Sequence, residues 1–322
     1  MNSIHPGDQL DHYRIEGVVA RSGMASIFRG IDLLTGRPVA IKIPHPEVES
    51  DPVFFERFHR EEEIGAKLDH PGVMRVFTDD DRSRVYMVME WVDGRLLRQV
   101  LNEQRKLPAD RAVRIALGVC DALEYIHSQG VVHRDLKPEN IMVDAEDRIK
   151  LIDFGIASNV GARRITFSRL SQTMGTPDYI SPEQVKAKRG DARSDIYALG
   201  VMLYEMLTGK VPFTGSNPFL IMNDRLLNNP IPPREIDPAI SPQLQEVIYR
   251  ALERDPKNRY GSAREFARDL RHLDQVGVAE RPELRDWKRR RSPLARTILF
   301  YVVLALIPVI IFALMFYLAR HG

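Results

Sequence analysis

Short apolar runs broken by Gly, Asp and Pro fill residues 13 to about 92: Ile15, Val18-Val19, Ile27-Phe28, Val39-Ala40-Ile41 and Val85-Tyr86-Met87-Val88-Met89. Runs of this length and punctuation predict β-strands. Among them, Asp51-Pro52 opens a helical stretch from about Val53 to Leu68. Phe54, Phe58, Glu61, Gly65 and Leu68 follow steps of three and four, so they share one helix face. Glu61 is thus a carboxylate on an inward apolar stripe, while Glu62 and Glu63 are expected to point elsewhere. From about residue 95 the period changes, and Leu96 to Leu101, Arg111 to His127, Asp195 to Leu207, Pro242 to Leu252 and Ala263 to Leu273 read as helices. The pattern predicts an α+β fold with a small β-rich lobe, 13–90, and a larger helical lobe, 93–273. No internal repeat or low-complexity tract interrupts it.

The end of the chain follows a different rule. Ile298 to Ala319 carries no charged residue, and about 20 such residues cross a bilayer as a helix. A core helix or one lying in the membrane plane would show polar residues on one face, and this stretch shows none. Lys288, Arg289, Arg290, Arg291 and Arg296 precede it, so the positive-inside rule places the large N-terminal part in the cytoplasm. Pro308 is expected to kink the span, which bilayers tolerate. The expected organisation is an N-terminal tail (1–12), the two-lobed domain (13–273), a basic juxtamembrane linker (274–296), one C-terminal transmembrane helix (297–319) and an extracytoplasmic tail (320–322). The N-terminus lacks the apolar run of a signal peptide. Single-pass insertion in the inner (plasma) membrane is the expectation, with no extracellular sensor domain expected after the span.

Composition narrows the chemistry. Forty-six basic residues against 44 acidic leave a net charge of +2 over 322 residues, which indicates no nucleic-acid partner. The single cysteine, Cys120, sits in an apolar helical pattern with Val119, Ala122, Leu123 and Ile126. It fits a buried small hydrophobe in a reducing compartment, with no disulfide framework.

Two motifs carry the functional argument. His133-Arg134-Asp135-Leu136-Lys137-Pro138-Glu139-Asn140 precedes an apolar strand (Ile149, Leu151, Ile152) that ends in Asp153-Phe154-Gly155. Phosphoryl transfer from a nucleotide needs a carboxylate beside the attacking hydroxyl and oxygen ligands for a divalent cation on the phosphates. Upstream, Val39-Ala40-Ile41-Lys42 puts a lysine in an apolar strand, where an unpartnered ammonium would be very costly. Taken alone, Lys42 also reads as an edge-strand lysine facing water. The inward Glu61 changes that reading, because a buried Lys42–Glu61 pair satisfies both charges.

Together these residues resemble the eukaryotic-like (Hanks-type, PknB-like) serine/threonine protein kinases of bacteria, over residues 13–273. The resemblance implies a bilobal protein kinase fold, ATP and Mg²⁺ (or Mn²⁺) as cofactors, and transfer of the γ-phosphoryl group to Ser/Thr hydroxyls of protein substrates. It assigns Asp135 as the base, Lys137 to the transferred phosphoryl group, and Asn140 and Asp153 as metal ligands. Lys42 would meet the α/β-phosphates, held by Glu61. Met89 would form the inner wall of the base pocket, with Glu90, Trp91 and Val92 as a hinge meeting adenine through backbone groups. Ile27, Ala40 and Met142 would sandwich the ring. The phosphate-covering loop departs from the family's G-x-G-x-x-G: Ala20, Ser22 and Ala25 stand at its glycine positions, and only Gly23 between them is glycine. With torsional freedom lost, weaker nucleotide binding or a stiffer loop is the expectation, with the site itself retained.

The resemblance also makes the segment from Asp153 to Glu183 an activation segment, with Thr166, Ser168, Ser171 and Thr173 as candidate phosphosites among Arg163, Arg164 and Arg169. Arg134 would hold such a phosphate. His133 and Phe154 would pack together, Thr176 would contact Asp135 and Lys137, Glu183 would pair with Arg259, and Asp195 would accept catalytic-loop N–H groups. Two other readings stay open: a membrane-tethered pseudokinase scaffold, suggested by the altered loop, and a kinase-fold enzyme acting on a small molecule. Expected partners are protein substrates, the membrane and a second copy, as a homodimer through the span.

Overall fold

The structure, a computed structural model, describes residues 4–46, 51–78, 81–153, 178–279 and 301–302. The N-terminal lobe is built on β1 (Gln9–Leu10), β2 (Tyr13–Arg21), β3 (Ala25–Asp32), β4 (Pro38–Pro44), β5 (Val76–Phe77) and β6 (Met87–Glu90), in the antiparallel order β1-β2-β3-β4-β6-β5. Strand alternation decides the two faces. Val39, Ile41 and Ile43 of β4 are buried with Tyr13, Ile15, Phe28, Tyr86 and Val88 on one side. Ala40 packs on the opposite side with Phe58, Met74, Val76, Met87 and Met89. Lys42, two residues on, shares the face of Ala40.

Helix α1 (Pro52–Gly65) covers that second face. Asp51 caps it by accepting a hydrogen bond from Val53 N at 2.9 Å, and Pro52 occupies its first turn, where no N–H is needed. The helix ends earlier than the pattern to Leu68 suggests, although Leu68 itself stays buried at 3% exposure. Gly65 permits the close approach of α1 to β5: a Cβ there would stand 2.4 Å from Val76 Cγ2. Replacing Gly65 by Ala is therefore expected to destabilise the protein by about 1–3 kcal/mol through overpacking, readable as a lower melting midpoint.

The expectation for Glu62 is corrected by the structure. Glu62 is as buried as Glu61, at 7% against 8%. Its carboxylate is held by the Arg82 guanidinium, which also donates to Tyr86 O and Phe77 O. A single helix turns 100° per residue, so two adjacent carboxylates reach the interior only when each meets its own cation. Lys42 and Arg82 supply them from two sides.

The C-terminal lobe begins with β7 (Arg95–Leu96), α2 (Leu97–Gln104) and α3 (Ala109–Ser128). It continues through β8 (Ile141–Val143), β9 (Ile149–Leu151), α4 (Pro182–Val185), α5 (Ala192–Thr208), α6 (Pro218–Leu227), α7 (Pro233–Ile236), α8 (Pro242–Ala251) and α9 (Ala263–Arg271). Side-chain caps start several helices: Asp191 on Arg193 N, Asn217 on Leu220 N, Ser241 on Leu244 N and Ser262 on Glu265 N. Helix α5 is buried from Ser194 to Thr208, the mark of a central helix packed on every side, with Asp195 and Glu205 its buried charges. The apolar stripe of α3, from Ala112 to Ile126, belongs to the same core, and Cys120 lies within it. Burial raises the Cys120 thiol far above its ordinary pKa, so it is inert as a nucleophile.

Strands β7, β8 and β9 pair in that order as a small sheet at the junction of the lobes. The segment after α1 is stitched to β9 by Leu151 N donating to Gly72 O and Met74 N donating to Leu151 O, both 2.9 Å. Lys150 of β9 also donates to the Glu90 carboxylate across the lobes. These bonds fix where β9 ends, and hence where Asp153 stands. Among the described residues no helix is long and apolar enough to cross a membrane. The expected span, apart from the helical Tyr301 and Val302, lies outside the described residues.

Candidate active site

The catalytic loop is shaped by one buried carboxylate. Asp195, in the first turn of α5 and fully buried, accepts His133 N at 2.9 Å, Arg134 N at 2.7 Å and His127 Nε2 at 2.8 Å. Arg134 adopts φ +63°, a left-handed conformation that costs a non-glycine residue about 1 kcal/mol or more and persists only when its surroundings enforce it. Asp195 holds its N–H, and Gln184 Nε2 donates to its carbonyl at 2.9 Å. Gln184 belongs to none of the motifs read from the sequence. The signal that could have found it is the capping box Ser181-Pro182-Glu183-Gln184, in which the Gln184 side chain accepts from Ser181 N at 3.1 Å.

Beyond this turn the side chains of the first motif converge. Asp135 is half exposed, with Lys137 Nζ 2.7 Å from its Oδ2. A 3₁₀ turn, Pro138–Asn140, brings Asn140 back so that its Nδ2 donates to Asp135 O at 2.8 Å. That bond orients the amide and leaves the Asn140 oxygen as an acceptor. His133 is wholly buried, in agreement with a structural role.

Lys42 reaches across from β4. Its Nζ lies 2.8 Å from Glu61 Oε1 and 3.5 Å from Asp153 Oδ1. Burial opposes the Lys42 charge, but Glu61 and Asp153 together hold the ammonium above its ordinary pKa. Burial raises the Glu61 carboxyl, with Asp153 adding to it and Lys42 opposing. The Lys42 charge lowers Asp153. Asp153 too is left-handed, at φ +68°, which turns its carboxylate out of the β9 direction.

The residues fit a hard divalent cation. Asn140 and Asp153 offer oxygen donors, and among the described residues no group of three or more His, Cys, Asp or Glu could hold a metal alone. An ion here would complete its shell with phosphate and water oxygens, as Mg²⁺ does in nucleotide sites.

The base-pocket candidates come from β3, β4, β6 and β8. Met89 is buried opposite Ala40, Ile27 of β3 pairs with Lys42, and Met142 of β8 pairs with Leu96 and Lys150. At Glu90 the backbone N–H donates to Arg75 O at 2.9 Å. Its carboxylate is tied to Arg75 N and Lys150, so its carbonyl is the group left to offer. Val92 is half-buried just beyond β6.

The loop of Ala20, Ser22, Gly23 and Ala25 forms the β2–β3 hairpin, with Ala20 paired to Ile27 and Arg21 to Ser26. No residue of this turn has a positive φ. The torsional freedom expected to be missing is thus not required, and the turn closes instead through the Ser22 hydroxyl. Phe154, Thr166, Ser168, Ser171, Thr173 and Thr176 lie outside the described residues.

Comparison with known proteins gives the family. Residues 13–270 match the protein kinase domain family, and the chain belongs to that family. It is similar to a probable serine/threonine-protein kinase of Streptomyces coelicolor, 39% identical over 80% of this chain and 39% of that one. It is also similar to the serine/threonine-protein kinase PknB of Mycobacterium tuberculosis, 35% identical over 90% of this chain and 47% of that one. The chain thus spans less than half the length of these curated relatives. Among solved structures, the Mycobacterium tuberculosis PknI kinase domain superposes with a TM-score of 0.66 at 27% identity, covering 84% of this chain and all of that one. The family implies ATP, a divalent metal and protein substrates.

Proposed function

We propose that this protein is a membrane-tethered serine/threonine protein kinase that transfers the γ-phosphoryl group of ATP to Ser/Thr hydroxyls, its own activation segment included. The observation that carries the reading is the Lys42–Glu61 ion pair at 2.8 Å, assembled with Asp153 from the other lobe. In this reading Lys42 holds the α/β-phosphates and Glu61 keeps Lys42 aimed. Asp135 receives the proton of the attacking hydroxyl and orients its oxygen. Lys137, already at the Asp135 carboxylate, stabilises charge on the moving phosphoryl group. Asn140 and Asp153 would hold Mg²⁺, which supplies charge neutralisation on the phosphates. Glu61 and the lobe-bridging strand β9 position these groups without touching substrate.

The apolar Ile298–Ala319 stretch behind its arginines supports a single span with the kinase domain cytoplasmic, and dimerisation through that span would concentrate one activation segment near a second active site. The test is the full chain in bilayers with labelled ATP, Mg²⁺ and a generic protein substrate. Phosphoserine or phosphothreonine is expected after hydrolysis, and EDTA should reduce labelling to background. A labelled small metabolite without phosphoprotein would overturn the protein-kinase reading. A chain shortened to end near Asp274 should leave the membrane fraction on alkaline extraction, and its retention there would sink the tether.

A further inference from the structure

The β2–β3 turn carries its own internal acceptor. Ser22 Oγ receives hydrogen bonds from Ala25 N at 3.1 Å and Met24 N at 3.3 Å, and it donates to Ala25 O at 3.0 Å. Ser22 N closes the same turn on Ala25 O at 2.9 Å. A turn that covers phosphates works by presenting consecutive backbone N–H groups to their oxygens. Here two of those groups already point at a hydroxyl.

We propose that Ser22 plugs the phosphate loop, its hydroxyl oxygen occupying the place of a nucleotide phosphate oxygen, so that binding must first turn this side chain away. The inference rests on the kinase reading above and deepens it by naming the residue that sets phosphate affinity. A charged phosphate oxygen is a stronger acceptor than a hydroxyl, so the nucleotide displaces the plug but binds more weakly than it would to an open loop. Ser22 and Gly23 are exposed and a Cβ at Gly23 meets nothing within 4 Å, so the turn has room for the rearrangement. The effect is local to the phosphates. Ser22 acts on the loop and not on the adenine side, where Met89 and Val92 stand.

The experiment is calorimetric titration of the full chain in detergent micelles with Mg²⁺, using ADP and, separately, adenosine. Ser22→Ala and Ser22→Gly should each lower the Kd for ADP about fivefold, the worth of roughly one net hydrogen bond, and leave adenosine unchanged. Ser22→Thr keeps the hydroxyl and should behave as the wild type. Weaker or unchanged ADP binding in the Ala and Gly variants would overturn the proposal, because Ser22 would then be pre-forming the loop. An equal shift for adenosine would overturn it as well. Wild-type protein that binds neither ligand would remove the kinase reading itself, an outcome distinct from binding that is indifferent to Ser22.

Discussion

Replacing Asp135 by Asn is expected to lower the rate of phosphoryl transfer by about 10²- to 10⁴-fold, the usual worth of a positioned general base. The same variant should melt where the wild type does and bind ADP normally. The geometry separates these outcomes. Asp135 is 49% exposed, so its charge contributes little to folding, and Lys137, the cation paired with it among the described residues, can turn to solvent. Asn140 holds the loop through the Asp135 backbone oxygen at 2.8 Å, a bond the substitution leaves in place. Asn140 Nδ2 also donates to Asp135 Oδ2 at 3.3 Å, a bond an asparagine oxygen can still accept. Lys42, Glu61 and Asp153, the residues proposed to bear on the nucleotide, do not touch the altered atoms. Initial rates with labelled ATP, a melting curve and an ADP titration check the three expectations separately. A rate within threefold of wild type would remove Asp135 from its role, whereas a large fall in melting temperature would recast it as structural.

How much of the fold and site is legible in the sequence depends on the range of each interaction. Lys42 and Glu61 can be paired from sequence because each sits in a regular element whose period reveals its inward face. The role of Asp195 requires the family pattern, since nothing in a helical run says that its first-turn carboxylate reaches back to the N–H groups of His133 and Arg134. Glu62 departs from its expected place for a related reason. Periodicity gives one inward face, and the second is created by Arg82, a residue from an irregular connection. The β7–β9 sheet is only partly visible in the sequence, because two- and three-residue strands carry no period, and Arg95–Leu96 extends only through its partner β8. The loop glycines fail in the opposite direction. Their absence points to a stiffened turn, yet the turn contains no positive φ and closes on the Ser22 hydroxyl, a local bond that composition does not announce.

The largest stability effect is expected at Glu183 and Arg259. The Arg259 side chain is fully buried and meets both Glu183 oxygens, at 2.8 and 2.7 Å. Its remaining donors serve the carbonyls of Arg193, Glu253 and Arg254, and its guanidinium lies over the Tyr197 ring. One cation therefore joins the end of the activation segment, the start of α5 and the turn between α8 and α9. Glu183→Ala would leave that charge buried without a counter-ion, which costs about 3–5 kcal/mol and rivals the whole stability of many domains. Burial alone would raise the Glu183 pKa. The bonds from Arg259 and Ser194 outweigh it and pull the carboxyl down to about 2 from an ordinary 4.5. A depressed carboxyl contributes its stability fully above the unfolded value and loses it as pH falls toward the folded one. Wild-type protein should accordingly lose stability between pH 4.5 and 2, and Glu183→Gln should remove part of that slope. Denaturant midpoints measured across that window test both claims. A Glu183→Ala midpoint within about 1 kcal/mol of wild type would mean that the pair is replaceable by water, and that the activation segment is anchored elsewhere.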